Sequence, residues 1–173
     1  MVTIEEVKQN SENKQFILDA LKQDGKLLEF ASNKLQDDKD VLMQAINTYA
    51  GSLIFASDRL KNDKDIVFSA VKKEAWTICY ASDKLKADRE IILHGVKENG
   101  QILYYASKEL RDDKEVVLEA VKNKGIILKY VSHRLRNDED VVLEAVKQDK
   151  KAFEFATPEM QANEVILKAK NGE

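Results

Sequence analysis

Apolar residues recur along this chain with a period of 25 positions, between residues 13 and 162. Each period opens on a run with helical spacing, such as Ile66, Val67, Ala70 and Val71, which predicts an amphipathic α-helix. The apolar face of this element, here called the A helix, is wider than contact with one flat surface requires. We therefore expect each A helix to pack against neighbours on two sides.

The polar residues beside each apolar run predict where the A helix begins. An aspartate or asparagine precedes every run, and its side-chain oxygen can accept hydrogen bonds from the free amides of the first helical turn. Acidic residues in the first turn and a lysine near the end of most runs complement the helix dipole. The predicted N-caps are Asn13, Asp38, Asp63, Asp88, Asp113 and Asp138.

Glycine or alanine follows most of the runs and predicts where the A helix ends. Glycine adopts the left-handed conformation that closes a helix at little steric cost. The glycines in this row are therefore expected to be left-handed. The predicted ends lie near Gly25, Ala50, Ala75, Gly100 and Gly125.

Two shorter elements follow each A helix. The first, here called the B helix, carries an aliphatic core row, which includes Ile78, and an aromatic core row, which includes Tyr80. The second, the C turn, begins with a hydroxyl residue three positions before a recurring leucine, as Ser82 precedes Leu85. Pro158 directly follows such a hydroxyl residue, at a first-turn position where a missing amide costs nothing. Each period is therefore predicted to be a longer helix, a shorter helix and a capped helical turn.

Both ends of the chain predict capping elements. Thr3 and Glu6 have the spacing of a capping box, which predicts a short N-terminal capping helix within residues 1–12. Residues 163–173 resemble a truncated A helix with one residue deleted, after which the buried face turns polar. Residues 13–162 lie between these capping helices. The predicted fold is all-α, a single domain that forms a right-handed α-solenoid of six 25-residue repeats.

Composition and charge indicate which compartment and which classes of binding partner to expect. The formal net charge is −3, and both signs are spread evenly, which disfavours nucleic acid and anionic membranes as partners. The apolar runs are too short to cross a membrane, and the first ten residues are too polar for a signal peptide. The single cysteine, Cys79, cannot form an internal disulfide. We expect a monomeric, cytoplasmic protein.

The acidic, histidine and cysteine residues of the chain do not form a predicted catalytic or metal-binding site. Asp63 and Asp65 recur in equivalent form in most repeats, as capping residues do and a single catalytic pair does not. His94 and His133 occupy different rows of the repeat, so they are not placed to share a metal. Cys79 has no histidine beside it in the sequence that would generate a thiolate. We predict that the protein is not an enzyme and uses no cofactor or metal.

Variation between repeats points to a candidate partner-binding surface. Packing positions must recur, whereas a surface that recognises a partner need not. The variable rows of the B helix carry apolar and aromatic residues in the central repeats and charged residues at the ends, as in the core and rim of an interface. Two interpretations are open, because these residues either face solvent or pack over the turn of the next repeat. The candidate residues are Ile54, Trp76, Cys79, Ile102, Tyr104 and Ile126.

One repeat carries a family resemblance. It consists of residues 113–123, then Gly125, Leu128 and Tyr130, then residues 132–137. This pattern resembles the short helical repeat catalogued as domain of unknown function 4116, and the resemblance covers almost the whole array. It implies a tandem array without assigned catalytic residues, often part of a larger protein.

The predicted function is therefore a non-catalytic repeat scaffold that binds a protein or peptide. Stacked helices present a long surface to which each repeat contributes a few variable side chains. One alternative is an RNA-binding solenoid that reads one nucleotide per repeat, which requires a basic face and stacking side chains. Another alternative is a structural spacer within a larger protein.

Overall fold

The computed structural model describes residues 2–173, and every regular element in that part of the chain is helical. The chain divides into two compact units, Met1–Leu85 and Lys86–Glu173. A short helix at Ile4–Gln9 comes first, and the predicted capping box between Thr3 and Glu6 is present there. The A helices that follow are Lys14–Leu21, Lys39–Thr48, Lys64–Lys73, Arg89–Glu98, Lys114–Asn123, Glu139–Gln148 and Glu164–Asn171.

Each of the first six A helices begins directly after the residue predicted to cap it. Asp63 is representative, because its Oδ1 atom accepts hydrogen bonds from the amides of Asp65 at 3.0 Å and Ile66 at 3.2 Å. These are two of the first-turn amides that have no partner within the helix. The six predicted N-caps are confirmed.

The predicted left-handed ends of the A helices are wrong. The residue before the glycine row ends the helix in an extended conformation, as Tyr49 does with φ −148° and ψ 106°. Among the described residues only Gly172 has a positive φ. The glycines instead permit a close approach, because a Cβ atom on Gly125 would lie 2.2 Å from the carbonyl oxygen of Ala145 in the next A helix.

The B helices are six-residue 3₁₀ helices. Their amides bond to the carbonyl three residues back, as Val131 does to Leu128 at 3.1 Å. Side chains three positions apart therefore lie one above the other. The B helices are Gly25–Phe30, Ala50–Phe55, Ala75–Tyr80, Gly100–Tyr105, Gly125–Tyr130 and Lys150–Phe155.

The C turns are single helical turns capped largely as predicted. The Ser57 hydroxyl accepts a hydrogen bond from the Leu60 amide at 3.3 Å, and Pro158 stands in the first turn after Thr157. Ser32 is the exception, since its hydroxyl makes no capping bond. The C turns are Asn33–Gln36, Asp58–Lys61, Asp83–Lys86, Leu110–Asp112, Leu135–Asn137 and Pro158–Gln161.

Within each unit, the equivalent helices of consecutive repeats pack against each other. Each A helix contacts the next A helix, and each B helix contacts the next B helix. This arrangement buries the wide apolar face of the A helix, so that Ile66, Val67 and Ala70 have no exposed surface. The expectation of neighbours on two sides is confirmed.

Polar contacts also join consecutive repeats within a unit. The Ser132 amide donates to the carbonyl of Arg111 in the preceding C turn at 3.1 Å. The Lys114 ammonium lies 2.9 Å from Asp138 and 2.8 Å from Asp140 at the start of the next A helix. The first-turn cation of one repeat thus neutralises the capping acids of the next.

The last A helix keeps the period without a deletion. Asn163 caps it by accepting hydrogen bonds from the amides of Val165 at 2.8 Å and Ile166 at 3.3 Å. Asn163 lies 25 positions after the cap Asp138, so the predicted one-residue deletion is wrong. Ile166 rather than Val165 takes the buried position, and Val165 is exposed.

Candidate interaction surface

The 3₁₀ geometry of the B helix separates exposed positions from buried ones. In Ala75–Tyr80 the second and fifth residues, Trp76 and Cys79, lie three positions apart on the outer side, whereas Thr77 and Ile78 are fully buried. The same two positions recur in every B helix, and all of them are exposed or half-buried except Gly51, which is buried. We call them the B-helix stripe. Its residues are Lys26, Glu29, Gly51, Ile54, Trp76 and Cys79 in the first unit, and Gln101, Tyr104, Ile126, Lys129, Lys151 and Glu154 in the second.

The structure exposes most of the predicted candidates. Ile54 is 42% exposed, Trp76 37% and Tyr104 53%, which is uncommon for large apolar side chains. Cys79 and Ile126 are half-buried. These five residues belong to the B-helix stripe.

Ile102 is the candidate that the structure removes. It is 1% exposed, because it occupies the third position of its B helix, which points into the repeat. A Cβ atom added to Gly95 would lie 2.9 Å from Cγ2 of Ile102. Ile102 therefore fills the space that alanine occupies in the other repeats, and it packs inside its own repeat rather than over the turn of the next one.

In the first unit the stripe centres on Trp76. Its ring meets that of Tyr80 edge to face, with centroids 5.8 Å apart. Its indole N–H donates to the carboxylate of Glu74, so the polar atom of the side chain already has a partner. Trp76 therefore presents an apolar surface to solvent.

In the second unit the stripe includes a tyrosine cluster. The ring of Tyr104 lies 5.1 Å from that of Tyr105 and 4.9 Å from that of Tyr130, both edge to face. The Lys129 ammonium lies 4.7 Å from the centroid of Tyr130, a cation–π distance. Lys129 was not among the predicted candidates, and Tyr105 and Tyr130 were missed because the aromatic row was predicted to lie wholly in the core. The available signal was tyrosine in place of phenylalanine, since its hydroxyl favours a partly exposed site.

Four of the capping aspartates have lowered pKa values. A hydrogen bond from Arg89, with two backbone amides, keeps the pKa of Asp113 below its usual range despite partial burial. Burial opposes a lowered pKa for Asp63, but the Ile66 amide and Lys39 outweigh it. An acid with a lowered pKa is a poor proton donor near neutral pH.

The described residues contain neither a cluster of metal-ligand residues nor a membrane-spanning helix. No group of three or more His, Cys, Asp or Glu residues lies close enough to hold a metal ion. No helix within residues 2–173 is long and apolar enough to cross a membrane.

The repeat matches one protein family. The family described as "Domain of unknown function (DUF4116)" matches five overlapping segments, residues 13–61, 43–86, 63–111, 88–133 and 113–161. The chain belongs to this family. Membership in the DUF4116 family confirms the tandem repeat predicted from the sequence. No curated protein and no solved structure matches the chain.

Proposed function

We propose that this DUF4116 chain is a non-catalytic scaffold that binds a protein or peptide through the B-helix stripe. The observation that carries the proposal is the contrast between neighbouring positions of one helix. Stripe positions are mostly exposed and vary, as Ile54, Trp76 and Tyr104 do, while the adjacent third and fourth positions are buried in nearly every repeat. Exposed aromatic residues at variable positions are characteristic of recognition surfaces.

The scaffold itself is proposed to be a right-handed α-solenoid of six 25-residue repeats. Support comes from each unit separately, in which A helices pack on A helices and B helices on B helices. The unbroken spacing of the caps, from Asn13 to Asn163, also supports regular stacking.

Catalysis is not part of the proposal. Asp38, Asp63, Asp113 and Asp138 accept bonds from helix amides and have lowered pKa values. Each performs the same capping task in its own repeat, so none is distinguished as a catalytic acid or base.

The test is partner capture by the full chain and by stripe variants. Trp76→Ala and Tyr104→Ala, together, should abolish capture of whatever protein the wild type retains, because both remove exposed ring surface. Val165→Ala is the matched control, since Val165 is 45% exposed but lies outside the stripe. Thermal unfolding of the three proteins should coincide.

Capture that survives the double substitution would refute the stripe as the binding surface. A gel-shift titration with single-stranded RNA runs in parallel. RNA binding that is lost both in the double variant and in moderate salt would instead establish the RNA-binding alternative.

A further inference from the structure

The tyrosine cluster of the second unit presents three rings and one cation on a small area. Tyr104 contacts both Tyr105 and Tyr130 through its ring, so the ring centroids of Tyr105 and Tyr130 are at most about 10 Å apart. One turn of a polyproline II helix is three residues and spans about 9 Å. The cluster therefore matches one turn of such a peptide in size.

The hydroxyl groups favour an extended partner. Within residues 2–173, no protein group accepts or donates a hydrogen bond at the hydroxyls of Tyr104, Tyr105 or Tyr130. A polyproline II peptide has no internal hydrogen bonds, so its carbonyls need donors of this kind. The carbonyls of a helical partner are already bonded internally. Aromatic-lined surfaces bind proline-rich segments by this combination of ring packing and donation.

The positive charge of Lys129 favours peptides that carry acidic residues. Lys129 is exposed beside the Tyr130 ring, and no carboxylate of the described chain lies within ion-pair distance of its ammonium. The cluster itself contains no acidic residue. A peptide carboxylate placed near the cluster would give the ammonium the counter-ion that it lacks.

We propose that the tyrosine cluster binds an acidic, proline-containing peptide segment in the polyproline II conformation. This inference rests on the proposed function and names the class of partner for the second unit. The rings of Tyr104 and Tyr130 pack against the prolines, the tyrosine hydroxyls donate to peptide carbonyls, and Lys129 pairs with a glutamate or aspartate.

The experiment titrates the full chain against three labelled ten-residue peptides and follows fluorescence anisotropy. The first peptide has two prolines three positions apart with flanking glutamates, the second replaces the glutamates by lysines, and the third replaces the prolines by alanines. The first should bind most tightly. Absence of saturable binding of the first up to about 1 mM peptide, or equal binding of all three, would overturn the inference.

Substitutions locate the site. Tyr104→Ala should weaken binding roughly tenfold or more, and Tyr104→Phe, which keeps the ring, about threefold to tenfold. Lys129→Gln should weaken only the acidic peptide, by about threefold, while Lys97→Gln and Val165→Ala leave the affinity unchanged. An affinity that Tyr104→Ala does not alter would overturn the inference.

Selection from a random dodecapeptide library separates this inference from the proposed function. Acidic proline-containing sequences whose binding requires Tyr104 support the inference. Other sequences that require Tyr104 overturn it and leave the proposed function standing. If no selected peptide requires either Tyr104 or Trp76 for binding, both the inference and the proposed function fail. Both also fail if these two residues are required only for binding a single-stranded RNA, oligouridylate.

Discussion

At the scale of single residues, the repeat tolerates substitution where neighbouring side chains compensate. Gly95 breaks the alanine row of the A helices, and Ile102 occupies the volume that the missing methyl group leaves. The glycine at this position is visible in the sequence, whereas the side chain that compensates for it is visible only in the structure. Burial of Ile102 depends on which side of a six-residue 3₁₀ helix faces inward, and the 25-residue period does not determine that.

The leucine row gives the sharpest test of burial. Leu85 is 3% exposed. Leu85→Asp should therefore cost several kcal/mol, because it places an unpaired charge in an apolar site. Lys84→Ala, one residue away on the exposed side, should cost less than about 0.5 kcal/mol. Chemical denaturation measures both, and equal losses would contradict an internal leucine row.

The glycine row gives a second residue-scale prediction. Gly125→Ala would place a Cβ atom 2.2 Å from a backbone oxygen that cannot rotate away. The backbone must shift, so the variant should lose about 1 to 3 kcal/mol of unfolding free energy. Unchanged stability would show that neighbouring repeats can shift apart at this position at little cost.

At the scale of elements, the A helices were more predictable than the B helices. Caps such as Asp63 and Thr157 act on amides two or three residues away, so their effect is local and visible in the sequence. In the first and last repeats, the end of the B helix instead receives hydrogen bonds from a glutamine of the following C turn. The Gln36 side chain donates to the carbonyls of Leu28 and Glu29, both in the preceding B helix, at 3.1 and 3.2 Å.

Capping and ion pairing can be separated at Asp63. Asp63→Asn keeps an oxygen acceptor, as Asn13 and Asn163 do in their own repeats, and loses only the exposed pair with Lys39. It should cost under about 1 kcal/mol. Asp63→Ala removes the cap as well and should cost about 0.5 to 2 kcal/mol more. Equal losses in urea denaturation would show that the ion pair, not the cap, dominates.

At the scale of the whole molecule, the period predicted an all-helical tandem repeat, which the structure and the family match confirm. Two compact units were not predicted. Local patterning repeats almost unchanged through residues 75–110, so nothing in it indicates a division there. The tyrosine cluster was only partly foreseen, because it joins residues 26 positions apart, Tyr104 and Tyr130.

Acid should destabilise the whole molecule. Hydrogen bonds from Ser57 and Arg59 lower the pKa of Asp37, and those from Ser132 and Arg134 lower that of Asp112. A lowered folded-state pKa stabilises the fold at pH values above the ordinary aspartate pKa of 3.8. That stability is lost as the pH falls below 3.8 and through the folded-state values. Melting temperature measured from pH 7 to pH 2 should therefore drop below about pH 4.

Asp112→Asn is the matched control for this titration. Asn62 and Asn137 occupy the same row and accept bonds from Ser82 and Thr157. The variant should show a shallower acid transition than the wild type. An identical pH profile would remove Asp112 from the groups responsible.

The hydrogen bonds between repeats have a consequence for how the chain folds. Those that join neighbouring repeats link residues about one period apart, from 19 positions for Arg136 and Phe155 to 27 for Ser52 and Gly25. Contacts at such short separations close small loops, and proteins built from them fold quickly. Within each unit, a new repeat can therefore dock on its predecessor while the ribosome is still adding the next one.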